Sequence, residues 1–588
     1  PLSASSITGV TYGFPTVADM VAATDIVAGM KLSTAVHNTT SNAGGAEYLF
    51  KTFTQATADG DVYSPTTTVN IQCVNGVAVL QVVNNTINLA SAGVQQSPVD
   101  STAAFNQAVA RVAPFGRVIG DGVVRVSDIV LDSIPITLQG IGQRGLILEP
   151  ADGASFTLKL KDINRKTTGI AQFWQPEQRN GATLKSIIFH GRQRQVVANG
   201  LVFEGLNDDV LLRDVHVYQY NGVGVDFGDP DDVTITSEQG VRESLLDNVE
   251  VKNCGTATLP AVRLGRAANA TEDNHNNITL RSLSVVYPYG IGMEIRDERG
   301  DFSGRIRNII FENPFFHGTR QLPALDNNNE DPHSLQPLLV VGGGQGFVEV
   351  RSTGGSLIEQ ESGLPCIDVR ARGSLSSIGT TPSGGVGFIG ARFTEARQSY
   401  MGGISTDDNV ELTDLIDIVS MLGSSKLVLG DINCLDSGAS PERTVTTTTD
   451  LNLISDQSAT YITFEKPADD LADEVLLGTP LRSVGRDSHI TSVRLLVNDT
   501  LTANNTNYAT ITYRIFNALG ALVEQVTTTT ELTGTGTITG KTFAELPLPN
   551  ANTIRAGQSL QFSISKNGTG VQLPALSLAF TLSSTIKR

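Results

Sequence analysis

Residues 184–190 read LKSIIFH, and the phrase returns as LRDVHVY at 212–218, LDNVEVK at 246–252, LRSLSVV at 280–286 and IRNIIFE at 306–312. An apolar residue opens each copy, two polar residues follow, and apolar and variable positions then alternate. Period-two alternation puts the apolar set on one side of a strand. The intervals of 28, 34, 34 and 26 residues are unequal, as in stacked coils that keep their strands and vary their loops. Such strands make a parallel β-helix, with Leu184, Leu212, Leu246, Leu280 and Ile306 as one internal ladder. A globular sandwich would join neighbouring strands by hairpins, and Asn-Gly or Asp-Gly links are few between 117 and 440.

Composition agrees with an all-β class. Gly is 58 of 588 residues, charged residues are only 17%, and no long run of helix formers occurs. The length exceeds what one compact core supports, so an elongated or divided body is expected. A net charge of −18, from 60 acidic against 42 basic residues, would repel a phosphate backbone, which argues against nucleic acid. Cys73, Cys254, Cys366 and Cys434 have no paired spacing and read as buried thiols, neither a disulfide framework nor a zinc site. With no long apolar run and no secretory signature, the chain reads as soluble, without membrane insertion. Pro1 at the start points to a processed or truncated chain with a further segment upstream.

The coils are flanked by different text. Residues 1–98 form a small α+β module, one short helix followed by strands, and a polar linker. In STAAFNQAVARVA, Asp100 or Ser101 can cap a helix that turns Ala104, Phe105, Ala108, Val109 and Val112 to one side. The solenoid then occupies 99–440. Residues 441–588 alternate strongly between Asn, Gly and Asp turns, which predicts a C-terminal antiparallel β-sandwich.

A second strand in each coil reads GLVFEG from Gly200, GVGVDFG from Gly222, AVRLGR from Ala261 and GIGMEIR from Gly290. With Leu201, Phe203, Val223, Val225, Val262, Leu264, Ile291 and Met293 inward, Glu204, Asp226, Gly265 and Glu294 face outward at one level. Coils stack ~4.8 Å apart, so Asp226 and Glu294, two coils apart, start ~10 Å apart. That is near the ~6.5–9.5 Å that inverting glycosidases leave for a water, while Glu204 and Asp226 start near the ~5 Å of retaining ones. Gly224, Gly265 and Gly292 would leave a shallow groove. Arg263, diagonal between the acids, and Arg296 would bind substrate. The bland alternative is a solvated charge ladder.

Other candidates are weaker. Glu272, Asp273 and His275 in TEDNHNN read as a turn, His190 and His216 as solvated strand positions. Asp229, Asp231 and Asp232 in DPDD lack the spacing of a calcium loop. Trp174, Tyr218, Tyr220, Tyr287 and Tyr289 have rings that can stack on sugars. No metal or cofactor is expected, and no nucleophile-elbow, zinc-protease or phosphate-loop motif occurs.

DSTAAFNQAVARV followed by GRVIGDGVVRVSDIVLDSIPITLQGIG resembles the capping helix and first coils of pectin-lyase-like proteins, and the whole chain resembles a bacteriophage tailspike depolymerase. The resemblance implies a right-handed β-helix, three chains side by side as a homotrimer, an upstream virion-attachment segment, and action on a bacterial surface polysaccharide, capsule or lipopolysaccharide O-chain, at the host surface. Catalytic residues follow no fixed motif in that family. Three functions follow. An endo-acting glycoside hydrolase would use Glu294 as acid and Asp226 as base, with Glu204 beside them and Arg263, Arg296, Trp174, Tyr287 and Tyr289 holding substrate. A polysaccharide lyase would neutralise a uronate with Arg263 or Arg296 and move protons through Tyr287, His275 or His317. A receptor-binding adhesin would do neither.

Overall fold

The computed structural model describes residues 11–38, 43–142, 145–163, 181–271, 275–299, 306–318, 336–359, 365–379, 381–384, 388–402, 404–405, 412–422 and 427–429, and beyond these chiefly the strands as far as 584. The chain divides into two compact units. One comprises Pro1–Ser399, Ile404–Lys426 and Cys434–Leu451, and the other Tyr400–Gly403, Leu427–Asn433 and Asn452–Arg588.

The first unit opens on a five-stranded sheet built from Thr11–Thr16, Lys31–Asn38, Ala43–Lys51, Gly76–Leu80 and Asn70–Cys73. Its two short helices, Val17–Ala22 and Phe53–Ala58, each begin with a capping box. Thr16 Oγ1 accepts from the Asp19 N–H while Asp19 Oδ2 accepts from the Thr16 N–H, and Thr52 and Gln55 repeat the exchange. Among the described residues the module therefore shows a strand before the first helix and two helices where one was expected. The linker helix spans Thr102–Val112 and buries Ala104, Phe105, Ala108, Val109 and Val112, the five positions read from the sequence. Asp100 Oδ1 accepts from the Thr102 N–H at its start.

A parallel β-helix follows, built from a 20-stranded and an 11-stranded sheet. Strands of the larger sheet bend at a corner, giving each coil three principal faces. The first holds 183–185, 211–213, 245–247 and 279–281, and the second 187–190, 215–218, 249–252, 284–286 and 315–317. The third runs through Phe156–Lys161, Asn199–Glu204, Val225–Asp226, Val262–Arg266, Met293–Asp297, Leu339–Val341 and Pro365–Val369. Leu184, Leu212, Leu246 and Leu280 stack in register, all but wholly buried. Each such side chain adds roughly 1.5–3 kcal/mol by leaving water.

The fifth rung is a correction. Leu280 pairs with Phe311, and Ile306 pairs with Val348. Both IRN at 306–308 and FEN at 311–313 fit the start of the phrase, and only tertiary pairing selects the second.

The corner between the first two faces explains the polar third residue of the phrase. Ser186, Asp214, Asn248 and Ser282 occupy one column with φ of 53°, 52°, 56° and 50°, continued by Asn313, Gly354 and Gly379. A left-handed backbone disfavours branched residues and suits Asn, Asp and Gly. Side chains reinforce the stack, with Asn248 Nδ2 donating to Asp214 Oδ1 at 2.8 Å.

In the second unit the sheets from 460 onward are antiparallel. Thr460–Lys466, Leu576–Ser584, Ser488–Val497 and Phe543–Leu546 lie in one sheet, and Val475–Arg482, Ser559–Asn567, Tyr508–Phe516 and Leu522–Thr529 in another. Cys73, Cys254 and Cys366 are buried and joined in no disulfide, and Cys434 lies outside the described residues.

Candidate functional site

On the third face the inner column Leu201, Val225, Val262 and Met293 is in register, and the outer column beside it is Val202, Asp226, Arg263, Glu294 and Val340. The expected column of Glu204, Asp226, Gly265 and Glu294 is thus displaced. Asp226 and Glu294 keep one level two coils apart, but the strands of Glu204 and Gly265 are shifted by two positions against them, and a slip of two leaves the inward and outward sets unchanged. Arg263 stands between the two acids, and Gly265 belongs beside Arg296.

Glu204 lies elsewhere, in a column with Lys161 and Asp132. Its carboxylate pairs with Lys159 at 2.5 Å and Lys161 at 3.6 Å. This is a surface charge ladder, and it removes Glu204 from the acid pair.

Asp226 is buried and fully engaged. Arg263 Nε donates to its Oδ1 at 3.1 Å and Nη2 to its Oδ2 at 2.6 Å, while the Gly228 N–H donates to Oδ1 at 3.0 Å. Arg263 also reaches Asp229 at 2.7 Å. A bidentate ion pair between two buried groups is a structural clamp, so the free base expected at Asp226 is absent from this geometry.

The glycines do not floor a groove. A Cβ on Gly265 would lie 2.3 Å from Pro230 Cδ, one on Gly224 2.7 Å from interior Val251, and one on Gly292 2.4 Å from the Leu338 carbonyl oxygen. The segment DPDD folds over the third face instead, with Pro230 against Gly265, Asp229 on Arg263 and Asp231 on Arg296. Asp232 Oδ1 accepts from Thr234 N–H and Oγ1. Two outward arginines, one and two coils beyond an acidic run, were the signal for this contact.

Glu294 differs from its neighbours. It is 8% exposed, and burial pushes its carboxyl above the usual range, opposed by Arg296 and reinforced by Asp231. Arg296 Nε lies 3.7 Å from Glu294 Oε1, and the same guanidinium holds exposed Asp231 and approaches Glu298 at 3.5 Å. The site therefore joins a carboxyl biased towards its protonated form, an exposed carboxylate and a shared cation. Environments that differ in this way can divide acid and base roles.

Of the aromatic candidates, Tyr289 is buried beneath Arg194, whose guanidinium carbon lies 3.5 Å from the ring centroid. Tyr220 is wholly buried, its hydroxyl 2.7 Å from Thr157 Oγ1. Neither ring is open to a sugar. Tyr287 is partly exposed, and Trp174 lies outside the described residues. Glu272 and Asp273 also lie outside them, but His275 is wholly buried. Its Nδ1 accepts from the Val241 N–H at 3.1 Å and its Nε2 donates to the Gly265 carbonyl at 2.9 Å. It is a strut, not a turn residue, and burial lowers its pKa to about 4. Among the described residues no cluster of three or more His, Cys, Asp or Glu side chains could hold a metal ion.

No family model matches the sequence, and no curated protein matches it. Solved structures do. Full-length tailspike protein 2 from an Escherichia coli O157:H7 bacteriophage is 11% identical over 97% of this chain and 81% of its own, with a TM-score of 0.52. The enzymatically active domain of tailspike protein 4 of bacteriophage CBA120 is 12% identical over 99% and 78%, with a TM-score of 0.45. Tailspike protein gp49 of Acinetobacter baumannii bacteriophage Fri1, a capsular polysaccharide depolymerase, is 12% identical over 98% and 100%, with a TM-score of 0.39. At such identities the likeness is one of architecture, and this chain has the parallel β-helix fold seen in a phage tailspike.

Proposed function

We propose that the chain binds and degrades a bacterial surface polysaccharide as an endo-acting glycoside hydrolase. One observation carries this reading: Glu294, a nearly buried carboxyl raised by desolvation, lies beside Arg296, which also anchors the exposed carboxylate of Asp231. Glu294 would protonate the leaving oxygen, and Asp231, in place of Asp226, would activate the attacking water. The likeness to tailspikes, among them a capsular polysaccharide depolymerase, supports the substrate class. On this reading 99–440 carries the cutting groove and 441–588 serves trimer assembly or sugar binding, in a homotrimer carried on a phage virion. Elimination, with Arg263 or Arg296 neutralising a uronate and Tyr287, His275 or His317 moving protons, fits less well, because both arginines are held by aspartates and His275 is buried.

The test is incubation with a panel of purified capsular and O-chain polysaccharides, followed by mass spectrometry of the products. Wild-type protein should shorten one polymer to saturated oligosaccharides. Glu294→Gln should retain binding and lose cutting by roughly 10²–10⁴-fold. Unsaturated ends would indicate a lyase, binding without shortening an adhesin, and full activity of Glu294→Gln a site elsewhere.

A further inference from the structure

The outer side of the second face, away from Glu294's column, carries a strip of polar and aromatic side chains that the proposed hydrolysis does not use. In one row, Glu149 stands beside His190, and the register runs His190, Tyr218, Lys252, Val286 and His317. The adjacent row runs Ile188, His216, Glu250, Ser284 and Phe315. Three of the chain's seven histidines thus share one strip, so their presence there calls for a reason.

Its two acids are already engaged. Glu250 Oε2 accepts from Tyr218 Oη at 2.7 Å and lies 3.2 Å from His216 Nδ1. Those bonds, that of His216 foremost, hold its carboxyl below the usual range against the cost of burial. Tyr218 Oη also lies 3.1 Å from His216 Nδ1, so the three groups fix one another. Glu149 lies 3.6 Å from Arg125, 3.5 Å from His190 Nδ1, and accepts from Ser97 Oγ. Lys252, by contrast, has no carboxylate within ion-pair distance among the described residues. Its Nζ lies 5.5 Å from the centroid of Tyr287, and the Tyr287 and His317 rings are 5.1 Å apart. The Tyr287 ring therefore links Lys252 to His317, which stand on either side of buried Val286.

Tyr287 itself is a residue the backbone does not favour. It occupies a corner column with Gln219 and Asn253, where φ is 59°, 54° and, at Tyr287, 53°. Asn meets a left-handed corner at little cost, whereas a bulky aromatic there stores strain, as at sites kept for function. The fold asks for Asn253's residue type, and the chain supplies a ring.

We propose that this strip is an anchoring site for a carboxylate-bearing polysaccharide, separate from the cutting site, with Lys252 and His317 receiving the sugar carboxylate and Tyr287 stacking on the pyranose face. Glu250, by fixing Tyr218 and His216, is a positioning residue for the polar edge of the strip. A cation over an aromatic platform suits an acidic sugar, because the ring takes the apolar C–H face while the ammonium pairs with the charge. The inference rests on the polysaccharide reading but not on Glu294.

Surface plasmon resonance on immobilised polygalacturonate, alginate and hyaluronate, with dextran as the neutral polymer, tests it. The full chain should bind at least one acidic polymer over dextran. Lys252→Ala and Tyr287→Asn should each weaken that binding tenfold or more, the second while keeping a residue type the neighbouring corner already uses. Thermal melting should leave both variants folded. Equal binding to dextran, or acidic-polymer binding unchanged in both folded variants, would overturn the anchoring site. Failure of the hydrolase reading has a different signature, since Glu294→Gln would then cut normally whatever these variants bind.

Discussion

Two acidic residues in one column have opposite environments because of what faces them. Asp226 meets Arg263 through two hydrogen bonds and a backbone N–H, whereas Glu294 has Arg296 only at 3.7 Å. A buried pair broken from one side typically costs ~3–5 kcal/mol. Asp226→Asn should therefore lower unfolding free energy by about that much in urea, leaving Arg263 undercompensated, while folded protein keeps its kcat. A variant of normal stability that cannot cut would instead place Asp226 in the chemistry. Both acids were visible as outward positions, but nothing in alternation tells a clamp from an acid. The distinction depends on Arg263 occupying the rung between them, and alignment by opening residues missed that by two positions.

Within the coils, the repeated phrase is also a repeated corner. Its third residue adopts the left-handed conformation in coil after coil, so small polar residues there are a backbone requirement. Asn248→Val should destabilise by roughly 1–3 kcal/mol, and Asn248→Gly far less, in the same denaturant titration. Equal effects would mean that the Asn248 to Asp214 side-chain bond, not the backbone, carries the corner. The first four rungs were legible because their phrases share length and pattern. The fifth was not, because 306–308 and 311–313 both satisfy it and the pairing of Leu280 with Phe311 depends on where the intervening loop lets the chain return.

At the scale of the molecule, two buried titratable groups give stability opposing pH dependences. His275 is held neutral with a folded pKa of about 4 against an ordinary 6.5, so the unfolded chain binds the extra proton between those values. Stability should fall as pH drops through that window, by on the order of 3 kcal/mol from this group, and His275→Gln should flatten that limb of a melting-temperature profile. Glu294 is raised above its ordinary 4.5, so the unfolded chain releases its proton first. Its contribution is therefore lost as pH rises from that ordinary value through the raised one, and Glu294→Gln should melt higher than wild type at neutral pH and alike in acid. An unchanged profile in either variant would show that the group titrates alike folded and unfolded.

The sequence alone determined the solenoid, the antiparallel C-terminal strands, the apolar side of the linker helix and the outward setting of Asp226, Arg263 and Glu294, since all follow from side-chain periods that the backbone imposes locally. Tertiary structure decided which outward residues meet. Only the stacking register put Arg263 between Asp226 and Glu294, only the folding of 228–232 over the third face set Asp231 on Arg296, and only the corner at Tyr287 brought its ring between Lys252 and His317. Alternation has a period of two and cannot distinguish registers that differ by two, whereas packed side chains of different size and charge can.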